Sequence, residues 1–391
     1  MSVGLIIDVV VVIVIVAAVA SGLARGLLRA LGTVAGIVAG GAAALIVMPI
    51  VSARVPAAGW NVAAALAAGL AVILIGITIG EMIARAVRRP VHRVGLGIVD
   101  RLLGGAAGLV TSIAVLLILS MSVGSTGVPG ATQAVSSSTV LRALEQAVPA
   151  PVQSALARIR SIAIEDGIPT VLDAAGIVDA EVPDTDAETE PLRTASASVL
   201  RITTSAPACS TSSTGSGFVI DQGLVMTNAH VVAGAAEVVV EARNELPRSA
   251  DVVYFDPDAD IAVLSADGIG APPLPFSATP APGSTVFFQG HPYGGPFVSR
   301  SAAVLSAGPA VATDISGTAA VTRSMIRIAG LVEPGNSGGP LLTGDGAVAG
   351  MIFARGEAAP NVGYALSMEE LAPVLALAPE LGAPVSTGAC V

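Results

Sequence analysis

Four apolar stretches in the first 123 residues constrain this chain more than any other feature. They run from Val3 to Ala20, Leu27 to Ile50, Val62 to Ile83 and Leu102 to Val123. About 20 apolar residues in helical form cross the hydrocarbon core of a bilayer. Backbone polar groups find no water there, so each stretch must close its hydrogen bonds internally as a helix. The whole chain agrees: 53% of 391 residues are hydrophobic and the mean hydropathy is +0.79, too apolar for a protein that lies wholly in water. The expectation is a four-helix transmembrane bundle over residues 1–123. The first stretch sits where a signal peptide would, but it has no basic n-region and no clear cleavage site before Arg25, so it reads as a retained span.

Charge gives the orientation. Arg85, Arg88, Arg89, Arg93 and Arg101 border the third loop and Arg25 and Arg29 the first, whereas the second loop holds only Arg54. The arginine-rich loops are expected on the cytoplasmic side, which puts both termini outside it. Residues 1–122 hold eight Arg against Asp8, Glu81 and Asp100, while the remainder holds 11 Arg against 26 acids. An acidic, water-facing half argues against nucleic acid as a partner. Glycines recur at helix-face spacing, Gly32-Gly36-Gly40 and Gly104-Gly108, and are expected to bring helix backbones close together. Asp8 is the ionisable candidate within the spans; it is either a functional group of the bundle or a residue near enough to the end to reach the interface.

A polar connector follows, from Gly124 to about Ala195. Thr139 to Ile164 has apolar residues at helical spacing broken by Pro149-Ala150-Pro151, which predicts two short helices. Asp179 to Glu190 is acidic and contains proline, so it is predicted to stay unstructured. From residue 196 the pattern is all-β. Gly217–Ile220, Val238–Ala242, Val252–Phe255 and Ile261–Ala266 would supply one barrel. Thr285–Gln289, Phe297–Ser306, Met325–Ile328, Ala347–Ala354 and Asn361–Leu366 would supply a second, and Glu369 to Leu377 a terminal helix.

Within this half, Gly335-Asn336-Ser337-Gly338-Gly339-Pro340 carries a serine flanked by small residues. Such a turn exposes the hydroxyl and can aim the amides of Gly335 and Ser337 at one point, as an oxyanion requires. A serine also needs a base. His230 in Thr227-Asn228-Ala229-His230-Val231-Val232 follows one apolar strand, and Asp260 precedes another, Ile261-Ala262-Val263-Leu264. Each residue alone could be structural; Asp256 and Asp258 read as turn acids and His291 as part of a structural loop. Three scattered histidines and two cysteines suggest no metal site, and no cofactor is expected.

With Gly215-Ser216-Gly217-Phe218-Val219-Ile220 these motifs stand in the order His, Asp, Ser. Residues 196–391 thereby resemble the trypsin-like serine proteases, and among them the HtrA-type members. The resemblance implies a chymotrypsin-like double β-barrel with the site between barrels, Ser337 as nucleophile, His230 as base and Asp260 orienting it. Asn336 stands where the vertebrate digestive enzymes carry the aspartate that pairs with a new N-terminus, so activation through that ion pair is not expected. No PDZ-like segment is expected after the second barrel. Aligned with the family, Leu331 falls at the base of the substrate pocket with Tyr364, Ala365 and Leu366 along one wall, which implies cleavage after small or apolar residues rather than basic ones. The first 123 residues resemble the colicin V production family. Together the halves resemble the membrane-anchored acid-resistance proteases of mycobacteria and their actinobacterial relatives (MarP-like).

The expected protein is a multi-pass serine endopeptidase of the cell membrane whose protease domain faces extracytoplasmic protein substrates, with roles in envelope or acid stress implied by the resemblance and self-cleavage possible in the exposed connector. Cys209 and Cys390 both fall outside the cytoplasm on the derived orientation, where a disulfide is permitted, and would join the two ends of the protease domain and could hold its active conformation. Two other readings stay open: a peptide-binding protein with a protease fold, and a transport or channel protein regulated by its protease domain.

Overall fold

The computed structural model describes residues 3–54, 68, 71–72, 74–84, 86, 97–123, 138–163, 169–171, 181–206, 211–243, 245–356, 359 and 361–389. Two compact units emerge, Leu5–Leu116 and Leu117–Val391 with Met1–Gly4.

The first unit is helical. Helices α1 (Val3–Arg25) and α2 (Leu27–Arg54) are followed by an apolar helix α3 (Leu74–Ala84) and α4 (Gly97–Val123). Two segments, Gly4–Arg25 and Gly97–Leu117, are long and apolar enough to cross a membrane; Leu27–Gly41 and Leu74–Ala84 are shorter apolar helices. Of the expected span from Val62 to Ile83, residues 62–67, 69–70 and 73 lie outside the described residues and the helix seen there, Leu74–Ala84, is shorter than a span, so four spans are not all seen. The predicted glycine seams are present. A Cβ on Gly36 would run into the carbonyl of Gly76, and one on Gly32 into that of Gly80, so α2 and α3 pack backbone to backbone. Gly22 and Gly104 do the same for α1 and α4. Asp100 caps the start of α2, accepting the Leu28 N–H at 3.1 Å. Leu5, Ile6, Val9, Val10, Ile13 and Val16 stay exposed along α1, an apolar surface that suits lipid and not water.

In the second unit the connector forms α5 (Thr139–Ala147) and α6 (Ala150–Ala163). Ser138 accepts the Leu141 N–H at 3.1 Å, a side-chain N-cap, and the break falls at Pro149 as the sequence predicts. The acidic stretch departs from its expectation. Residues 183–187 form neither helix nor strand, yet they are held along the second sheet: Ser301 Oγ donates to the Pro183 carbonyl and Ser299 Oγ to that of Ala187 at 2.8 Å. Hydroxyls on a neighbouring strand supply partners that composition does not reveal. Helix α7 (Glu190–Ser196) then buries Leu192 completely.

Strands β2 (Val199–Ala206), β3 (Thr211–Asp221), β4 (Leu224–Thr227), β5 (Glu237–Glu241), β6 (Arg248–Asp256) and β7 (Ile261–Ser265) close a barrel in the order β2-β3-β4-β7-β6-β5. Its interior holds Leu200, Ile202, Val225, Val240 and Leu264. Strands β8 (Thr285–Gly290), β9 (Val298–Thr313), β10 (Ala320–Ala329), β11 (Pro340–Leu342), β12 (Val348–Gly356) and β13 (Val362–Ser367) follow in the order β12-β11-β8-β9-β10-β13. The pairing of β12 with β13 closes this ring too, and the two-residue β1 (Thr170–Val171) adds to β12 in parallel. Phe288, Ile326, Ile328, Leu341 and Ile352 fill the second barrel. Each such side chain contributes about 1.5–3 kcal/mol when fully buried. Helix α9 (Met368–Leu377) is capped by Ser367, whose hydroxyl accepts the Glu369 N–H.

Candidate active site

The three loops that carry the predicted residues meet between the barrels. After β4 the chain turns through a short helix, α8 (Ala229–Val232), which presents His230. Asp260 ends the β6–β7 turn in the left-handed region, φ 57°, a conformation that aspartate tolerates better than most residues but that still carries strain. Three bonds hold it there. His230 Nδ1 donates to Oδ2 at 2.8 Å and lies 3.0 Å from Oδ1, and the His230 backbone N–H donates to Oδ1 at 2.9 Å. Asn228 Nδ2 donates to the Asp260 carbonyl at 2.9 Å. Because a carboxylate only accepts, the neutral imidazole keeps its proton on Nδ1 and presents the Nε2 lone pair on the other side. The Asp260 side chain is 2% exposed and that of His230 11%, so the pair is shielded while the ring edge remains reachable.

Ser337 comes from the second barrel, in the loop before β11. Two glycines shape that loop. Gly335 has φ +88°, and a Cβ there would lie 2.7 Å from the Tyr293 nitrogen; Gly338 has φ +81°, and a Cβ there would strike the Ser216 carbonyl. The loop's other groups are spoken for. Asn336 N–H donates to the Glu333 carbonyl at 3.0 Å, and Gly338 N–H to that of Ile352 at 2.8 Å. The Glu333 N–H donates to Asn336 Oδ1 at 2.8 Å. Among the described residues the N–H groups of Gly335 and Ser337 donate to no protein group, which leaves two amides free to bind a negative oxygen. No hydrogen bond joins Ser337 Oγ to His230 among the described residues; such contacts tighten when substrate enters.

The structure also brings in residues that the sequence did not single out. Ser216 N–H donates to the Ser337 carbonyl at 2.8 Å and Ser216 Oγ to that of Gly335 at 2.7 Å, tying the first barrel to the serine loop. Thr227 Oγ1 donates to the Ser216 carbonyl at 2.8 Å. Tyr293 sits at φ 57°, and its N–H donates to the Pro334 carbonyl at 2.6 Å. A trans peptide points its C=O and N–H in opposite directions, so this bond turns the Gly335 N–H away from Tyr293. Ser216 and Thr227 lie inside quoted motifs; for Tyr293 no local signal exists.

Leu331 is 42% exposed, whereas Tyr364, Ala365 and Leu366 are buried in β13, so a pocket wall there would be made of backbone. Arg300 Nη1 donates to the Leu331 carbonyl at 3.1 Å, and Arg300 Nη2 pairs with Glu333 at 2.5 Å. His291 is buried, with Nδ1 donating to the Gly295 carbonyl at 3.1 Å. Burial, with Arg201 nearby, lowers its pKa to about 4. Cys209 and Cys390 lie outside the described residues.

Comparison with known proteins covers both halves. Residues 215–351 match the trypsin-like peptidase domain family, and residues 7–149 the colicin V production protein family. Serine protease Rv3671c of Mycobacterium tuberculosis is 35% identical over 303 residues, 75% of each chain. A probable periplasmic serine endoprotease, DegP-like, of Ectopseudomonas mendocina is 32% identical over 172 residues, which are 40% of this chain and 33% of that one. The crystal structure of the Rv3671c protease in its active form superposes with a TM-score of 0.53 at 37% identity, covering 57% of this chain and all of that one.

Proposed function

This chain belongs to the trypsin-like serine proteases with a colicin V production-type N-terminal domain, the family of the mycobacterial Rv3671c protease, and from that premise we propose that it is a membrane-tethered endopeptidase in which Ser337, His230 and Asp260 cut extracytoplasmic proteins. As a serine-type endopeptidase it requires a nucleophile, a base and an oxyanion site. Ser337 Oγ attacks the peptide carbonyl while His230 Nε2 takes its proton and later returns it to the leaving amine. Asp260 holds the ring in the correct tautomer and stabilises the imidazolium. The amides of Gly335 and Ser337 bind the oxyanion.

The observation that carries this reading is the pairing of a doubly bonded His230–Asp260 couple with two unspent amides at Ser337. An exposed Leu331 beside the cationic Arg300 disfavours a basic side chain in the pocket and supports cleavage after small or apolar residues. The apolar exposed face of α1 supports anchorage in a bilayer; the four apolar stretches carry the multi-pass reading and the arginine placement the outward-facing protease. Envelope or acid stress is the setting we infer, and a connector cut by the enzyme itself is part of the same reading.

Reaction of the full chain in detergent with a fluorophosphonate, read by intact mass, tests this. Wild type should gain one adduct on Ser337, and Ser337→Ala and His230→Ala none. A wild-type protein that folds cooperatively and remains unlabelled would overturn the assignment.

A further inference from the structure

The connector does more than span a distance. Helix α6 packs on the turn after β8, residues 292–295, closely enough that a Cβ on Gly295 would lie 2.9 Å from that of the fully buried Ala157. Arg158, the next residue along α6, donates through Nη2 to Glu333 Oε1 at 2.7 Å, and its guanidinium lies 5.7 Å from the centre of the Tyr293 ring. The Tyr293 hydroxyl reaches the same Glu333 oxygen at 3.5 Å. Helix α5 reaches the turn by a second route: Glu145 lies 3.7 Å from Arg201, whose Nη1 donates to the Gly294 carbonyl at 3.1 Å.

This turn orients the Gly335 amide. Tyr293 holds the Pro334 carbonyl, and it does so from a left-handed conformation that is strained for a bulky residue. Such a conformation persists only where neighbours enforce it. Glu333 is anchored independently by Arg300 of β9, so the carboxylate is a fixed post to which α6 attaches. Without Arg158, Tyr293 loses a guanidinium against its ring and α6 loses its bond to that post. Relaxation of Tyr293 would release the Pro334 carbonyl, and the Pro334–Gly335 peptide could rotate its N–H out of the oxyanion site.

We propose that Arg158 is a positioning residue for peptide hydrolysis: through Glu333 and Tyr293 it makes the connector helix α6 part of the apparatus that holds the Gly335 amide toward the oxyanion. The inference rests on the serine-peptidase reading above. It makes the connector helix ahead of the barrels a determinant of turnover, so a cut that frees α6 from the protease slows it.

The test uses the full, uncut chain in detergent, its integrity checked by mass, with a short chromogenic peptide substrate. Wild type, Ser337→Ala, Arg158→Ala and Arg158→Lys are compared for kcat, KM, fluorophosphonate labelling rate and thermal midpoint. Removing one oxyanion donor outright costs about 10²–10³ in kcat; misorienting it part of the time should cost about tenfold. Arg158→Ala is expected to lower kcat and the labelling rate about tenfold with KM within about twofold, and Arg158→Lys to recover part of the loss because the cation remains. The Arg158 side chain is 55% exposed, and an ion pair so placed adds little to stability, so the thermal midpoint should not move. Wild-type kcat in Arg158→Ala, or a loss confined to KM, would overturn the proposal while leaving the peptidase assignment intact. Wild type that neither hydrolyses nor labels would overturn both. Ala157→Leu, which wedges α6 off Gly295, supplies an independent variant with the same expected loss in kcat.

Discussion

Asp260 and Tyr293 are the described non-glycine residues with positive φ, and each holds a partner that another residue of the site depends on. Asp260→Asn keeps the size of the side chain but offers an amide where the His230 Nδ1 proton needs an acceptor, which favours the wrong tautomer. It should lower kcat by about four orders of magnitude with little change in KM, measured on a peptide ester; a loss under tenfold would remove the orienting role from Asp260. His291 gives a second prediction. Its folded pKa, about 4, lies below its ordinary 6.5, so between those values the unfolded chain binds more protons and stability falls as the solution becomes more acid. The loss begins below about pH 6.5, is complete by about pH 4 and amounts to about 3 kcal/mol. His291→Asn retains a donor for the Gly295 carbonyl without titrating, so its urea midpoint should vary less across that window than that of wild type.

At the scale of elements, packing explains both what patterns revealed and what they hid. Strands with apolar runs, such as β7 and β12, were legible because continuous burial leaves a continuous apolar segment. Strand β11 is three residues long and too short for any period. β9 runs to Thr313 although its far end is exposed, because pairing with β10 continues through Ala320 opposite Thr313. The glycine seams were legible since their spacing is a helix-face property. A bulky side chain at Gly36 must push α2 off α3, and Gly36→Leu should cost about 1–3 kcal/mol as overpacking. Thermal unfolding of the detergent-solubilised chain measures it; a midpoint equal to that of wild type would show that the seam does not hold these helices.

At the scale of the molecule, the protease barrels and the apolar helices are different kinds of object on one chain. If the enzyme cuts its own connector, wild-type membranes should release a soluble fragment that Ser337→Ala membranes do not; equal release from both would assign the cut to another enzyme. The cysteines yield a further expectation. Ala206 ends β2 beside the turn that starts β5, where Ala236 N–H donates to the Ser205 carbonyl, and Thr387 bonds to Gly234 and Ala235 of the same turn. Ser205 and Thr387, four and three positions before Cys209 and Cys390, therefore bond to the same turn. An intramolecular disulfide would lower the intact mass by two hydrogens, and if that mass is found Cys209→Ser should lower stability by up to about 5 kcal/mol; equal turnover in that variant and oxidised wild type would exclude control of activity by the bond.

Taken alone, the sequence determined the apolar helices, the β character of residues 196–391 and the identity and order of His230, Asp260 and Ser337. Those features depend on local period, on composition or on short contiguous motifs, all of which are written within a few residues. Only the tertiary structure decided that Ser216 and Tyr293 frame the serine loop, that the acidic stretch lies along β9 and that α6 meets Glu333 across 175 positions of chain. A hydrogen bond between segments so far apart is fixed by how two barrels close and what docks on them, and neither partner's neighbours in the sequence carry any trace of it.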